Sequence, residues 1–118
     1  MAKAAVVILA GTEARSDMGR VVNALETAKE FIETDGDTVE IIFDGAGTQW
    51  IPVLEDEDHR YHALYDAIQE EVVVCDYCVN AYDVGEEVDD SDVERLGEFE
   101  GHPSIRSLVS DGYEIITF

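Results

Sequence analysis

Basic residues are the scarcest class with a consequence: seven Lys and Arg stand against 28 Asp and Glu in 118 residues, a formal net charge of −21. So few cations argue against direct, unaided binding to a nucleic-acid phosphate backbone, although molar salt weakens that objection. No apolar segment approaches the roughly 20 residues that span a bilayer, so no membrane partner is expected. The opening apolar run Ala4 to Ala10 is too short, and too continuous with a strand pattern, for a signal peptide; a cytoplasmic location is the expectation. There is no Gly-x-Gly-x-x-Gly fingerprint and no Gly-x-x-x-x-Gly-Lys-Ser/Thr loop, which leaves Asp44-Gly45-Ala46-Gly47-Thr48 a weak nucleotide signal. The loop Gly11 to Asp17 carries two carboxylates that would repel a phosphate and reads as a turn with a helix cap. No cofactor is assigned.

The acids are spread along periodic segments and do not gather at one end, which excludes an acidic tail. Self-repulsion on this scale is tolerable at high intracellular salt, where the Debye length is about 3 Å at 1 M. A halophilic, haloarchaeal-type protein is expected.

What is present is an alternation of apolar patterns. Lys3 to Ala10, Thr38 to Phe43, Glu71 to Cys75 and Tyr113 to Phe118 read as strands, the first three buried on both faces. Apolar residues at three- and four-residue spacing predict a helix from Asp17 to about Glu33, capped by Asp17 or Ser16, and a second from Tyr61 to Ile68. Gln49 to Asp58 reads as irregular, Asp76 to Tyr82 as a short helix and Asp83 to Asp92 as a solvated acidic loop. An edge strand around Arg95 to Phe99 is slightly preferred over helix. Pro103 and Ser104 start a helix whose buried face is Ile105, Leu108 and Val109. With no internal repeat or linker, residues 1–118 form one α/β domain around a mostly parallel five-stranded sheet.

The two cysteines stand as Cys75-Asp76-Tyr77-Cys78, directly after Val72-Val73-Val74. A strand running into a helix places them beside free backbone N–H groups and the positive end of the helix dipole, which stabilise a thiolate. Asp76 and the global charge oppose this, and at high salt the local dipole is expected to prevail. The plain alternative is a pair of small buried hydrophobes. A helix of about 11 residues returning to the third strand would place His59 and His62 on the cysteine side, beside Gly11-Thr12 and Asp44 to Thr48 at the sheet's carboxyl edge. His-x-x-His with Cys-x-x-Cys could supply four zinc ligands, yet histidines at an exposed helix start are more often solvated, and no metal is assigned. Thioredoxin-like exchange fits poorly, because the pair follows the third strand and Pro103 reads as a helix starter. Trp50 reads as a core or interface anchor near the same edge.

The chain resembles the DsrE/DsrF-like family of small sulfur-relay proteins, related to the TusD sulfur carriers, over nearly its full length. The resemblance lies in Val6-Val7-Ile8-Leu9, Arg20 with the Ala24-Leu25 and Ala28 helix face, Val74 to Ala81, and Gly112 to Phe118. It implies a three-layer sandwich of flavodoxin- or Rossmann-like topology, homotrimers or homohexamers, and a cysteine that takes sulfane sulfur from a donor protein and passes it to an acceptor protein. Cys78, followed by Val79-Asn80-Ala81, matches the carrier position better than Cys75, which becomes the resolving thiol. His59 or His62 could assist proton transfer. A non-catalytic oligomeric binding module on the same fold is the alternative.

Overall fold

The computed structural model describes residues 1–118. Five strands, β1 (Lys3–Ile8), β2 (Thr38–Phe43), β3 (Val72–Cys75), β4 (Glu94–Leu96) and β5 (Glu114–Thr117), form one sheet in the order β4-β3-β2-β1-β5. Every pairing is parallel, with Val6 opposite Ile41, Phe43 opposite Val74 and Cys75 opposite Leu96. Six helices connect them: α1 (Arg15–Glu33), α2 (Trp50–Glu55), α3 (His62–Ile68), α4 (Asp76–Ala81), α5 (Gly85–Ser91) and α6 (Ile105–Ser110). None is long and apolar enough to cross a membrane.

Period-two alternation divides the strand residues between the two faces of the sheet. Ala4, Val6, Ile8, Val39, Ile41, Phe43, Val72 and Val74 share a large core with Val21, Leu25, Ile51, Leu54, Tyr65, Ile68, Val79 and Val88, so α1 to α5 all cover that face. Val7, Ile42 and Val73 point to the other side, where Ile105 and Leu108 of α6 cover them with Leu96 and Ile115. Right-handed crossovers explain this imbalance. The chain steps from β1 to β4 in one direction, laying each connection on one face, then returns across the sheet through α6 to reach β5 beside β1. The sandwich therefore has a thick helical layer, a sheet and a thin layer.

Several boundaries differ from the sequence reading. β1 stops at Ile8, and α1 begins at Arg15 after Ala14, with no side-chain cap from Ser16 or Asp17. The segment read as irregular holds a 3₁₀ turn over Gly45–Gln49 and then α2. Pro52 is tolerated there because it lies in the first turn, where its missing N–H has no intrahelical acceptor. α3 has seven residues and ends in a 3₁₀ turn, Gln69–Glu71. The acidic stretch read as a loop contains α5: Val84 and Val88 bury one stripe, and Asp92 ends the helix in the left-handed region. Arg95 holds its acidic face, contacting Asp89 at 2.8 Å and the carbonyl of Gly85 at 3.1 Å. Ser104 caps α6, accepting a hydrogen bond from the Ser107 N–H at 3.3 Å, but Val109 faces solvent.

Two features fix the carboxyl edge. Gly47 packs so closely on the end of β1 that an added Cβ would collide with the Ile8 carbonyl. Trp50 is buried, and its indole N–H donates to the carbonyls of Ala10 (3.1 Å) and Gly11 (2.9 Å), so it acts as a core anchor.

Candidate functional site

β3 and β4 are neighbours whose connections leave in opposite directions, β3 into α4 on the thick face and β4 toward α6 on the thin one. A cleft outside the carboxyl ends of such a strand pair is where open α/β sheets place ligands. Cys75 is the last residue of β3 and the N-cap of α4, and Cys78 lies in the first turn of α4. Both thiols are free. The Cys78 N–H donates to Cys75 Sγ at 3.4 Å, a contact that the i, i+3 spacing at a helix start produces directly.

From β2, Asp44 reaches the same place. Its Oδ1 accepts from the Gly45 N–H at 2.8 Å and from the Cys78 thiol at 3.3 Å. From the segment after β4 comes His102, whose Nδ1 lies 3.5 Å from Cys75 Sγ. Phe99 and His102 exchange backbone hydrogen bonds of 2.9 and 2.8 Å across Glu100 and Gly101, whose φ values of 51° and 90° are those of a type I′ turn. That hairpin is pinned to α4, because the Tyr77 N–H donates to the Gly101 carbonyl at 2.8 Å. The Tyr77 ring lies against the imidazole, centroids 4.6 Å apart. Arg95 braces α4 from β4 through Asp76 at 3.1 Å.

The sulfur and nitrogen ligand atoms of Cys75, Cys78 and His102 all lie within 4.8 Å of one another. His59 and His62 are not part of this group. The His62 Nδ1 is 2.7 Å from the Leu54 carbonyl, and His59 Nδ1 accepts from the Tyr61 N–H at 3.1 Å. They serve the α2–α3 connection, and His102 takes the place proposed for them. Locally the sequence marks only a glycine turn before the imidazole; which loop reaches the cysteines follows from the strand order.

Both thiols titrate above their ordinary range, the reverse of the expectation from the helix dipole. Burial pushes Cys75 up to about 12; the Cys78 thiol and the Asp44 charge act in the same direction, while the Cys78 N–H directed at its sulfur pulls the other way. Burial also raises Cys78, as does Asp44, against lowering by Cys75 and the Gly45 N–H. Desolvation of the thiolate outweighs the dipole of a six-residue helix. Cys75 is fully buried, whereas Cys78 keeps 8% of its surface exposed.

No family model matches the chain. Over 100 residues it is 29% identical to an uncharacterized protein of Methanocaldococcus jannaschii, MJ0733, a match covering 85% of this chain and 81% of that protein. The solved structure of a conserved protein of unknown function from Bacteroides thetaiotaomicron, BT1422, is similar at a TM-score of 0.59 and 13% identity. That likeness covers 97% of this chain and 94% of the other, and speaks to the fold alone.

Proposed function

We propose that the protein is a sulfur carrier of the DsrE-like kind, holding sulfane sulfur as a persulfide on Cys78. The observation that carries this reading is a pair of free thiols at the carboxyl edge, each within reach of its own proton acceptor. Asp44 serves Cys78 and His102 serves Cys75. Cys78 is the entry point because it is the one with exposed surface.

Cys78 loses its proton and its sulfur attacks the outer sulfur of a donor persulfide. A new S–S bond forms on Cys78, the donor's S–S bond breaks, and the donor thiolate leaves and takes up the proton. An acceptor nucleophile then removes the outer sulfur and returns Cys78 to the thiolate. Without an acceptor, Cys75 gives its proton to His102 and attacks the inner sulfur of Cys78. That step leaves a Cys75–Cys78 disulfide and releases hydrosulfide: the two cysteines are oxidised and the sulfane sulfur is reduced. Raised thiol pKa values suit a carrier that stays unreactive until a donor is seated. Exposed Tyr77 and Phe99 beside the site offer that donor an apolar landing surface.

Mass spectrometry of protein treated with a persulfide donor tests this reading. A gain of about 32 Da per chain on the Cys78 peptide, stable in Cys75→Ser and lost in Cys78→Ser, is expected. Equal loading of Cys78→Ser would remove the assignment. Light scattering tests the trimer or hexamer that the resemblance implies.

A further inference from the structure

We propose that Cys75, Cys78 and His102 form a zinc(II) site of two thiolates and one imidazole nitrogen. This goes beyond the carrier reading and does not rest on it.

Zinc bonds of about 2.3 Å to sulfur and about 2.0 Å to nitrogen, opened to a tetrahedral angle, set those two atoms about 3.5 Å apart. Cys75 Sγ and His102 Nδ1 stand 3.5 Å apart, and all three ligand atoms fall within 4.8 Å of each other. One ion fits among them with small side-chain adjustments.

The surroundings are those a thiolate–imidazole centre needs. The Cys78 N–H directed at Cys75 Sγ stabilises a bound thiolate, as outer hydrogen bonds do at metal sites. The Tyr77 ring and the Phe99–His102 hairpin fix the imidazole with Nδ1 toward the sulfurs. Arg95 anchors α4 through Asp76, outside the ligand set. Two borderline-soft sulfurs and one imidazole select zinc over the hard cations that oxygen donors prefer.

Binding is acid–base chemistry with no electron transfer. The ion displaces one proton from each thiol to solvent, and two thiolates neutralise its charge. Both sulfurs then donate lone pairs to the metal, so the loaded protein resists both alkylation and sulfur uptake. Zinc and sulfane sulfur compete for the Cys78 sulfur.

The test uses the full chain, reduced and stripped with chelator, titrated with cobalt(II) and then zinc(II). Near-ultraviolet sulfur-to-cobalt charge transfer, four-coordinate visible bands and one ion per chain are expected, with zinc displacing cobalt. Cys75→Ser and Cys78→Ser lose the charge-transfer band. His102→Ala, with unchanged far-ultraviolet circular dichroism, binds at least about tenfold more weakly, and His62→Ala matches the parent protein. Zinc raises the melting temperature of the parent chain and not of His102→Ala. Absence of the charge-transfer band, or a His102→Ala protein with unaltered affinity and spectrum, overturns the site. Chelator-treated protein that binds zinc but takes up no sulfur upholds the metal site and removes the carrier reading. Sulfur uptake without metal binding does the opposite.

Discussion

His102 Nδ1 sits 3.5 Å from Cys75 Sγ although 27 residues separate them in the chain. Two helices, one strand and a hairpin lie between them, and each end of that span is fixed for an identifiable reason. Cys75 is fixed because it ends β3 and caps α4. His102 is fixed because Glu100 and Gly101 turn the chain back on itself over α4.

The hairpin gives the first prediction. Gly101 has φ +90°, and a Cβ there would meet the Tyr77 Cβ at 3.4 Å. Gly101→Ala should cost about 1–2 kcal/mol from the left-handed backbone alone. Urea denaturation measures the loss. Because the turn carries His102, the same variant should weaken cobalt binding more than a substitution of equal cost on α1.

Thiol reactivity gives the second. A raised pKa means less thiolate at a given pH, so both cysteines should react with iodoacetamide at pH 8 more slowly in the folded protein than in urea. The Cys75 rate should keep rising toward about pH 12, where its thiol titrates. Asp44→Asn removes a charge that raises Cys78 and should speed Cys78 alkylation at pH 8 by severalfold. Peptide mapping against time separates the two cysteines. A slower Cys78 in Asp44→Asn would show that Asp44 acts on Cys78 chiefly as its proton acceptor and not through its charge.

Much of this architecture was legible in the sequence. The apolar runs read at Lys3 to Ala10, Thr38 to Phe43 and Glu71 to Cys75 hold β1, β2 and β3, and the α1 stripe repeats over five turns. Two helices were hidden for different reasons. Pro52 and the glycines before it look like a break until Pro52 is placed in a first turn. The acids of α5 look like a solvated loop until Arg95, from a later strand, is placed across them. The cysteine edge of the site was legible because strand and helix patterns meet there. Its histidine was not, since strand order and the reversal between β3 and β4 determine which loop covers the cysteines.

Glu40 carries the third prediction. It shares the sheet face of Ile42, and its carboxyl is raised by burial first, then by Glu98, Glu94 and Glu71. A carboxyl raised in the folded state favours folding below its unfolded pKa, and that contribution is lost as pH rises through the folded value. Glu40→Gln should therefore be more stable than the parent at pH 7, with the advantage shrinking toward pH 4. Thermal melts across that range decide it.

Charge at the scale of the whole chain gives the fourth. With a net charge of −21 and seven basic side chains, repulsion between carboxylates opposes the folded state in dilute buffer. Raising KCl from about 0.05 M to about 2 M shortens the screening length to a few ångströms. The melting temperature should rise by about 10 °C or more, roughly 2–3 kcal/mol for a domain of this size. A flat response in calorimetry would argue against adaptation to salt.

The uneven layering has a consequence for how the molecule opens. Five helices share the core on one face, while Val7, Ile42 and Val73 on the other depend chiefly on the six residues of α6. Such a flap is the weakest cooperative unit of the native state. The amides of Ile105 to Ser110 should exchange with deuterium ahead of those in β1 and β2. His102 lies three residues before α6, yet its hairpin is held separately, by the Tyr77 N–H on the Gly101 carbonyl at 2.8 Å. The sheet's thin cover can therefore open while the imidazole stays docked on α4, so the amides of α6 should exchange independently of the Tyr77 amide.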